Sequence, residues 1–330
     1  MTDMPIVRTV LGDIDPTHLG RTYCHEHLII DSKLIASEFP HIYLHDTKVA
    51  ITEVQACKIA GVGTMLDCMP VSAGRQIESL VEIAQSTDIH VVSVTGLHHD
   101  RYYGPKHWSN RVSSEQLTDL FVADVTQGID RFDYTSPIVE RTKHCAGVIK
   151  VATDGGELDE RDQRNLTAVA QAHIITGAPI LTHCEDGLGA IQQVNGLVDR
   201  GVEPESIVLS HVDKGRSSQS QQDKDHLHAI ARTGAYLEFD QALRQGMTGS
   251  TSSVRLVKDL FDHGFGDQIV MGTDGARRSL WRSLGGEPGL DWLAAHGSTE
   301  LLNAGLSIEQ IDQIFVFNPM KFLAFVPRLN

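Results

Sequence analysis

Two histidines separated by one residue, His25 and His27, sit in the stretch 21-RTYCHEHLII-30. Tyr23, Cys24 and the apolar run from Leu28 to Ile30 are strand-forming material, bounded by Gly20 and Asp31. Side chains at i and i+2 of a strand point to one side, so the two imidazoles project together and Glu26 points the other way. Such a pair suits a divalent metal, although a chain with 17 histidines can produce one by chance. Further residues of the right chemistry are Lys150 in 147-GVIKVATD-154, His183 in 179-PILTHC-184, His211 in 207-IVLSHV-212 and Asp274 in 272-GTDG-275. Each has an ordinary alternative. A lone strand histidine is commonly a hydrogen-bonded core residue, and Asp274 reads equally as a turn aspartate. Lys150 can snorkel to solvent or form a Schiff base.

The elements that position these residues decide the matter. Short apolar, β-rich runs occur at 22–30, 62–68, 90–96, 146–152, 179–184, 207–212, 234–239 and 268–274. Most gaps between them carry a helical period, at 45–60, 114–129, 159–176, 186–200, 222–232 and 251–264. In 114–129, for example, Leu117, Leu120, Phe121 and Val125 share a face. Eight alternations of strand and helix predict a (β/α)8 TIM barrel occupying 1–330 as a single domain. A doubly wound sheet is the competing arrangement, but the first strand is followed by Asp31-Ser32-Lys33 and not by a glycine-rich nucleotide turn. The tail from Gly285, including 316-VFNPMKFLAF-325, reads as closing helices.

Catalytic groups of such a barrel lie at the C-terminal ends of its strands. His25 and His27 end the first strand, Lys150 the fourth, His183 the fifth, His211 the sixth and Asp274 the eighth, so six candidates fall on one rim. Four imidazoles and a carboxylate suit zinc, with manganese or cobalt as alternatives. An ammonium on Lys150 beside a cation is penalised by desolvation and by repulsion, so its pKa should fall. The neutral amine can then react with carbon dioxide, giving an anionic carbamate able to bridge two metal ions. A hydroxide shared between such ions is a nucleophile at neutral pH.

Composition narrows the alternatives. A formal net charge of −15 disfavours nucleic acid and anionic membranes as partners. The sequence has no long apolar run to span a membrane and no secretory pattern at its start, so a cytoplasmic protein is expected. Five scattered cysteines, none in a CxxC pair, argue against a disulfide framework and a thiolate zinc site.

With these residues in order, the chain resembles the phosphotriesterase family of the amidohydrolase superfamily. The likeness runs from 20-GRTYCHEHL-28, through the lysine of VIKVA and the histidines of LTHCE and LSHVD, to GTDG and 318-NPMKFL-323. It implies a binuclear site in which His25, His27 and Asp274 hold the more buried metal. His183 and His211 would hold the more exposed one, with carboxylated Lys150 and a hydroxide between them. It also implies hydrolysis of an ester-like bond, Asp274 accepting the proton, and a homodimer.

The loops bear on the substrate. The third strand continues as 95-TGLHHDRYYG-104, placing His98 where family members acting on organophosphates or acyl lactones usually carry Trp or Tyr. Cations gather near the strand ends: Lys214 after His211, Arg244 after the seventh strand, and Arg277, Arg278 and Arg282 in 272-GTDGARRSLWRS-283. They are either salt-bridging surface residues or a clamp for an anionic small molecule, and arginine forks with a lysine suit a phosphate monoester. GTDGARRS and the lysine after LSHVD also resemble the subgroup that hydrolyses phosphorylated sugar lactones. In that subgroup Lys214, Arg277 and Arg278 would grip the phosphate, with a hydroxyl from Tyr102 or Tyr103. The expectation is a hydrolase for a phosphorylated aldono-1,4-lactone. The alternative is a lactonase for neutral or acyl lactones with promiscuous phosphotriesterase activity, and polar loops at 211–226 and 240–251 count against it. A barrel nuclease fits the charge poorly, and a binding protein that has lost its chemistry should lack a ligand.

Overall fold

The structure, a computed structural model, describes residues 4–328. All eight apolar runs become strands of one sheet: β1 (Arg21–Glu26), β2 (Val62–Asp67), β3 (His90–Gly96), β4 (Val148–Thr153), β5 (Ile180–Cys184), β6 (Ile207–Ser210), β7 (Tyr236–Phe239) and β8 (Ile269–Met271). Neighbours in sequence are neighbours in space and every pair is parallel. Parallel pairing demands a long return, and helices supply it. They are α1 (Thr47–Ile59), α2 (Ile77–Thr87), α3 (Ser114–Thr126), α4 (Glu160–Thr176), α5 (Ala190–Val198), α6 (Gln221–Ala231) and α7 (Ser252–Asp262). The sheet closes where the backbone N–H groups of Thr273 and Asp274, 3.2 and 3.0 Å away, both donate to the carbonyl of His25. Gly272 makes this seam tight enough, since a Cβ there would lie 2.5 Å from the His25 nitrogen.

Strand alternation splits the apolar residues into two cores. Ile149, Val151, Ile180, Leu209, Leu237 and Ile269 face outward onto the helices. Val148, Leu181, Val208, Tyr236 and Val270 face inward and pack with Cys24, Leu66 and Val94. One step further along the strands the inward positions turn polar, at Lys150, His183, Ser210 and Glu238. The apolar interior is therefore a floor, and the rim above it is where charge is admitted. In β1 the register on β2 shifts between Tyr23 and Glu26. This irregularity lets Cys24 join the inner core while His25, the next residue, also turns inward.

Helix ends follow local chemistry. Ser113 and Gln116 form a reciprocal capping box at the start of α3, with N···O distances of 3.0 and 3.3 Å. In α7, Val254, Leu256, Val257 and Leu260 make the buried stripe. Two features lie outside the sequence expectation. A hairpin of Val7–Thr9 with Gly12–Ile14 covers the floor of the barrel, and its Arg8 carbonyl sits where a Cβ on Gly147 would be, 2.4 Å away. The segment 316–325 is not helical throughout: Asn318–Leu323 is helix, whereas Phe325 pairs in antiparallel fashion with Ile6. Among the described residues no helix is long and apolar enough to cross a membrane.

Candidate metal centre

The six rim residues converge. His25 is fully buried, and its Nδ1 lies 2.9 Å from Glu238 Oε2. That contact fixes the ring and leaves Nε2 without a hydrogen-bond partner among the described residues. The His25 and His27 rings are 5.3 Å apart. His27 Nε2 lies 3.4 Å from Asp274 Oδ1, and its buried Nδ1 is likewise without a partner among the described residues. His183 Nδ1 and His211 Nε2 point at each other across 3.0 Å. Two imidazole nitrogens that close share either a proton or a cation.

Backbone geometry aims two of these side chains. His211 and Asp274 both follow the ends of their strands and adopt positive φ, +60° and +43°. For non-glycine residues this conformation is sparsely populated and persists only where surroundings enforce it. Asp240 enforces it at His211: its Oδ2 accepts the His211 N–H at 3.0 Å and lies 2.6 Å from Nδ1. At Asp274 the bond to the His25 carbonyl does the same. Gly96, with φ +95°, ends β3, and a Cβ there would lie 1.9 Å from the Lys150 carbonyl oxygen. Only glycine permits β3 to pass this close to Lys150.

Electrostatics matches the donor set. Burial holds His25 well below the usual histidine range and pushes His183 down to about 3, so both imidazoles are neutral, the form that can donate a lone pair to a cation. Burial acts on His211 in the same direction, but the Asp240 carboxylate overrides it and raises that imidazole. Lys150 Nζ donates to the Cys68 carbonyl at 2.7 Å, and burial lowers its pKa although Cys68, Asp274 and Glu238 pull the other way. For Asp274, burial opposes ionisation, but Arg244, His27 and His211 hold its carboxyl well below the usual range. Two His/Asp groups therefore present atoms close enough for a shared cation: His25, His27 and Asp274, and His25, His211 and Asp240.

A cavity of 340 Å³ opens above this cluster. Of the expected substrate contacts, His98, Tyr102, Lys214, Arg244 and Arg277 line it. Arg244 Nη2 lies 3.0 Å from Asp274 Oδ2. The Tyr102 ring stacks edge-on against His98 with centroids 4.4 Å apart. The structure does not bring Arg278 to the cavity: its Nη1 donates to the Tyr43 carbonyl at 2.9 Å, so it anchors the β1 loop instead. Tyr103 is also spent on structure, accepting from the His98 N–H at 2.8 Å and donating to the Val71 carbonyl at 3.0 Å. Arg282 pairs with Asp291 at 2.8 Å.

Several cavity residues were missed in the sequence. Glu185 accepts from His183 Nε2 at 2.9 Å and pairs with Arg101, so His183 presents Nδ1 inward. Ile30, Ile35, Phe39 and Ile42 of the β1 loop give the cavity an apolar part of its lining. Glu238 and Asp240 obey the same strand-end rule as the histidines, and the rule applied to the seventh strand would have found them.

A model of the phosphotriesterase family matches residues 5–323. A phospho-furanose lactonase of Mycoplasmopsis synoviae is 30% identical over 333 residues, covering 98% of this chain and 93% of its own. A crystal structure of an amidohydrolase from Mycoplasma synoviae superposes with a TM-score of 0.91 at 29% identity, covering 98% of this chain and 93% of that one. A lactonase from Listeria monocytogenes superposes with a TM-score of 0.87 at 25% identity, over 97% of this chain and 99% of that one.

Proposed function

The chain belongs to the phosphotriesterase family, and we propose that it is a metal-dependent hydrolase that opens a phosphorylated sugar lactone of the aldono-1,4-lactone class. The observation that carries this reading is one cavity holding an imidazole–carboxylate cluster at its base and Lys214, Arg244 and Arg277 on its wall. Its relatives include a phospho-furanose lactonase and a lactonase, which places its chemistry at ester bonds.

Two divalent metal ions, zinc first and manganese or cobalt as alternatives, fit the donor set. His25, His27 and Asp274 would hold one and His183 and His211 the other, with Lys150 between them as a carbamate formed when its neutral amine adds carbon dioxide and releases a proton. The unpartnered ring nitrogens and the His183–His211 convergence support this assignment. Bound metals supply Lewis acidity toward the lactone carbonyl and acidify water. The chain's own residues do the rest. Asp274, ionised and fixed by Arg244, takes the proton of the attacking water and returns it to the ring oxygen as the ester bond breaks. His98 and Tyr102 orient the sugar from the β3 side. Lys214, Arg277 and Arg244 hold the phosphate by charge-assisted hydrogen bonds. Residues 1–330 act as one domain, and the small anionic lactone is the partner, with neither nucleic acid nor membrane. We also propose a homodimer, as the family likeness suggests, acting in the cytoplasm.

The test is hydrolysis of matched sugar lactones, with and without a terminal phosphate, followed by a pH indicator on zinc-loaded protein. A phosphate should raise kcat/KM by orders of magnitude, and Lys214→Ala and Arg277→Ala should each remove about 10- to 100-fold of that preference. The β1-loop wall of Ile35, Phe39 and Ile42 favours a second reading, a lactonase for neutral or acyl lactones with phosphotriesterase side activity. Equal rates with and without phosphate would select it.

A further inference from the structure

A separate group of metal-ligating side chains lies on the helix ring and shares no residue with the rim. His228 of α6, Asp259 of α7 and His263, the residue that caps α7, each offer one ligand atom, and these lie within 4.8 Å of one another. His228 Nε2 is 2.7 Å from Asp259 Oδ2, and His263 Nδ1 is 3.7 Å from the same oxygen. The two imidazole rings pack with centroids 4.3 Å apart. We infer that this cluster is an additional, structural cation site for zinc or a similar late first-row divalent metal, clamping α6 to α7.

The local sequence explains the convergence. Asp259 and His263 are four residues apart, so they share one face of α7, and His228 reaches them from the neighbouring helix. Tetrahedral zinc, with bonds of about 2.0–2.2 Å, holds its ligand atoms about 3.3–3.6 Å apart. The observed 2.7 and 3.7 Å separations bracket that spacing, and all three ligand atoms lie within 4.8 Å of one another, so side-chain adjustment can bring them to it. Two imidazoles and one carboxylate favour zinc, nickel or copper over magnesium or calcium. The C-terminal ends of α6 and α7 bring the negative pole of each helix dipole to the site. Side-chain exposure rises from 8% at His228 through 16% at Asp259 to 53% at His263. The site therefore opens to solvent on one side, where water can complete the coordination.

Two competing interactions tune the site without closing it. His263 Nδ1 donates to the Asp259 carbonyl at 2.7 Å. That carbonyl also accepts the His263 backbone N–H at 3.2 Å, so releasing the ring does not orphan it. Lys224, one turn before His228, brings Nζ to 3.4 Å from Asp259 Oδ1. Its ammonium occupies the other carboxylate oxygen and repels a bound cation, which weakens the site. The C-terminal ends of α6 and α7 stand beside the N-terminal ends of the strands. The clamp thus sits at the end of the barrel associated with stability, away from the catalytic rim.

Equilibrium dialysis of the full-length protein against Zn2+, with metal measured per chain, tests this. Wild type should take up one more equivalent than His263→Ala, and added Zn2+ should raise the Tm of wild type more than that of His263→Ala. Lys224→Ala should fill the same equivalent at a free Zn2+ concentration at least about threefold lower, because it removes a like charge from the site. Equal Zn2+ uptake by wild type and His263→Ala, or a Lys224→Ala titration that superposes on wild type, would overturn the assignment.

Discussion

The barrel contains two buried ionic clusters that are opposites in one respect. Around Arg75, two carboxylates and a backbone carbonyl surround the guanidinium. Its Nε and Nη2 lie 3.0 and 2.9 Å from Asp133, and its Nη1 lies 2.8 Å from the Val94 carbonyl and 3.0 Å from Asp124. Asp124 in turn accepts from Thr95 at 2.9 Å and from Tyr134 at 2.6 Å. At the rim, the carboxylates Glu238, Asp240 and Glu185 hold one side of His25, His211 and His183, while His25 Nε2 and His27 Nδ1 find no hydrogen-bond partner among the described residues. Burial without a partner costs free energy. One cluster is held together by opposite charges within the chain, whereas the other gathers imidazoles whose ring nitrogens lack a partner among the described residues.

The sharpest way to break this contrast is to remove a residue from each. Lys150→Ala or His183→Ala should lower kcat by about 10³-fold or more, since it disrupts the groups expected to hold the metals. The same variants should unfold in urea nearer to the metal-free wild type than Arg75→Ala does, because Lys150 is bonded to the Cys68 carbonyl and His183 to Glu185 and His211, whereas Arg75 compensates two buried carboxylates. Arg75→Ala should do the reverse. It strands two buried carboxylates and should cost about 3–5 kcal/mol in a urea titration. If the rim variants lose the fold and Arg75→Ala keeps it, the division between the charge-compensated cluster and the rim fails.

Finer effects should follow the same line. Glu185 orients His183 without facing the cavity's centre, so Glu185→Ala should weaken metal binding by about 10- to 100-fold in a competition assay with a chelating dye. The smallest effect concerns pH. Burial pushes Asp133 up to about 7, although the single guanidinium of Arg75, shared with Asp124, draws it down. The folded state therefore keeps a proton that the unfolded chain loses near its ordinary value of 3.8. The stabilisation is complete below that value and is lost as pH rises toward about 7. Wild type should accordingly lose more stability than Asp133→Asn between pH 5 and pH 8, as measured by urea midpoints.

The order of strands and the six rim residues were legible because both depend on short-range periodicity plus one rule about strand ends. What stayed hidden depends on contacts that no local pattern encodes. Arg278 and Arg277 are adjacent and chemically identical, yet one lines the cavity and the other bonds to Tyr43, 235 residues earlier. Tyr102 and Tyr103 divide in the same way, the first on the cavity and the second on backbone. The hairpin at Val7–Ile14 has strands of three residues, too short to show alternation. The apolar wall comes from 30–42, where a short helix interrupts any period.

The seam between β8 and β1 has a consequence for how the molecule comes to be. Its hydrogen bonds join His25 to Thr273 and Asp274, so one His/Asp group draws on both ends of the barrel. During synthesis, His25 and His27 emerge early and wait for more than two hundred residues before Asp274 joins them. Contacts of such separation close late and slowly. The full rim therefore assembles only at the last act of folding, and a chain stalled or truncated before β8 lacks both the carboxylate and the closed barrel. Catalytic competence serves as a receipt for completed folding.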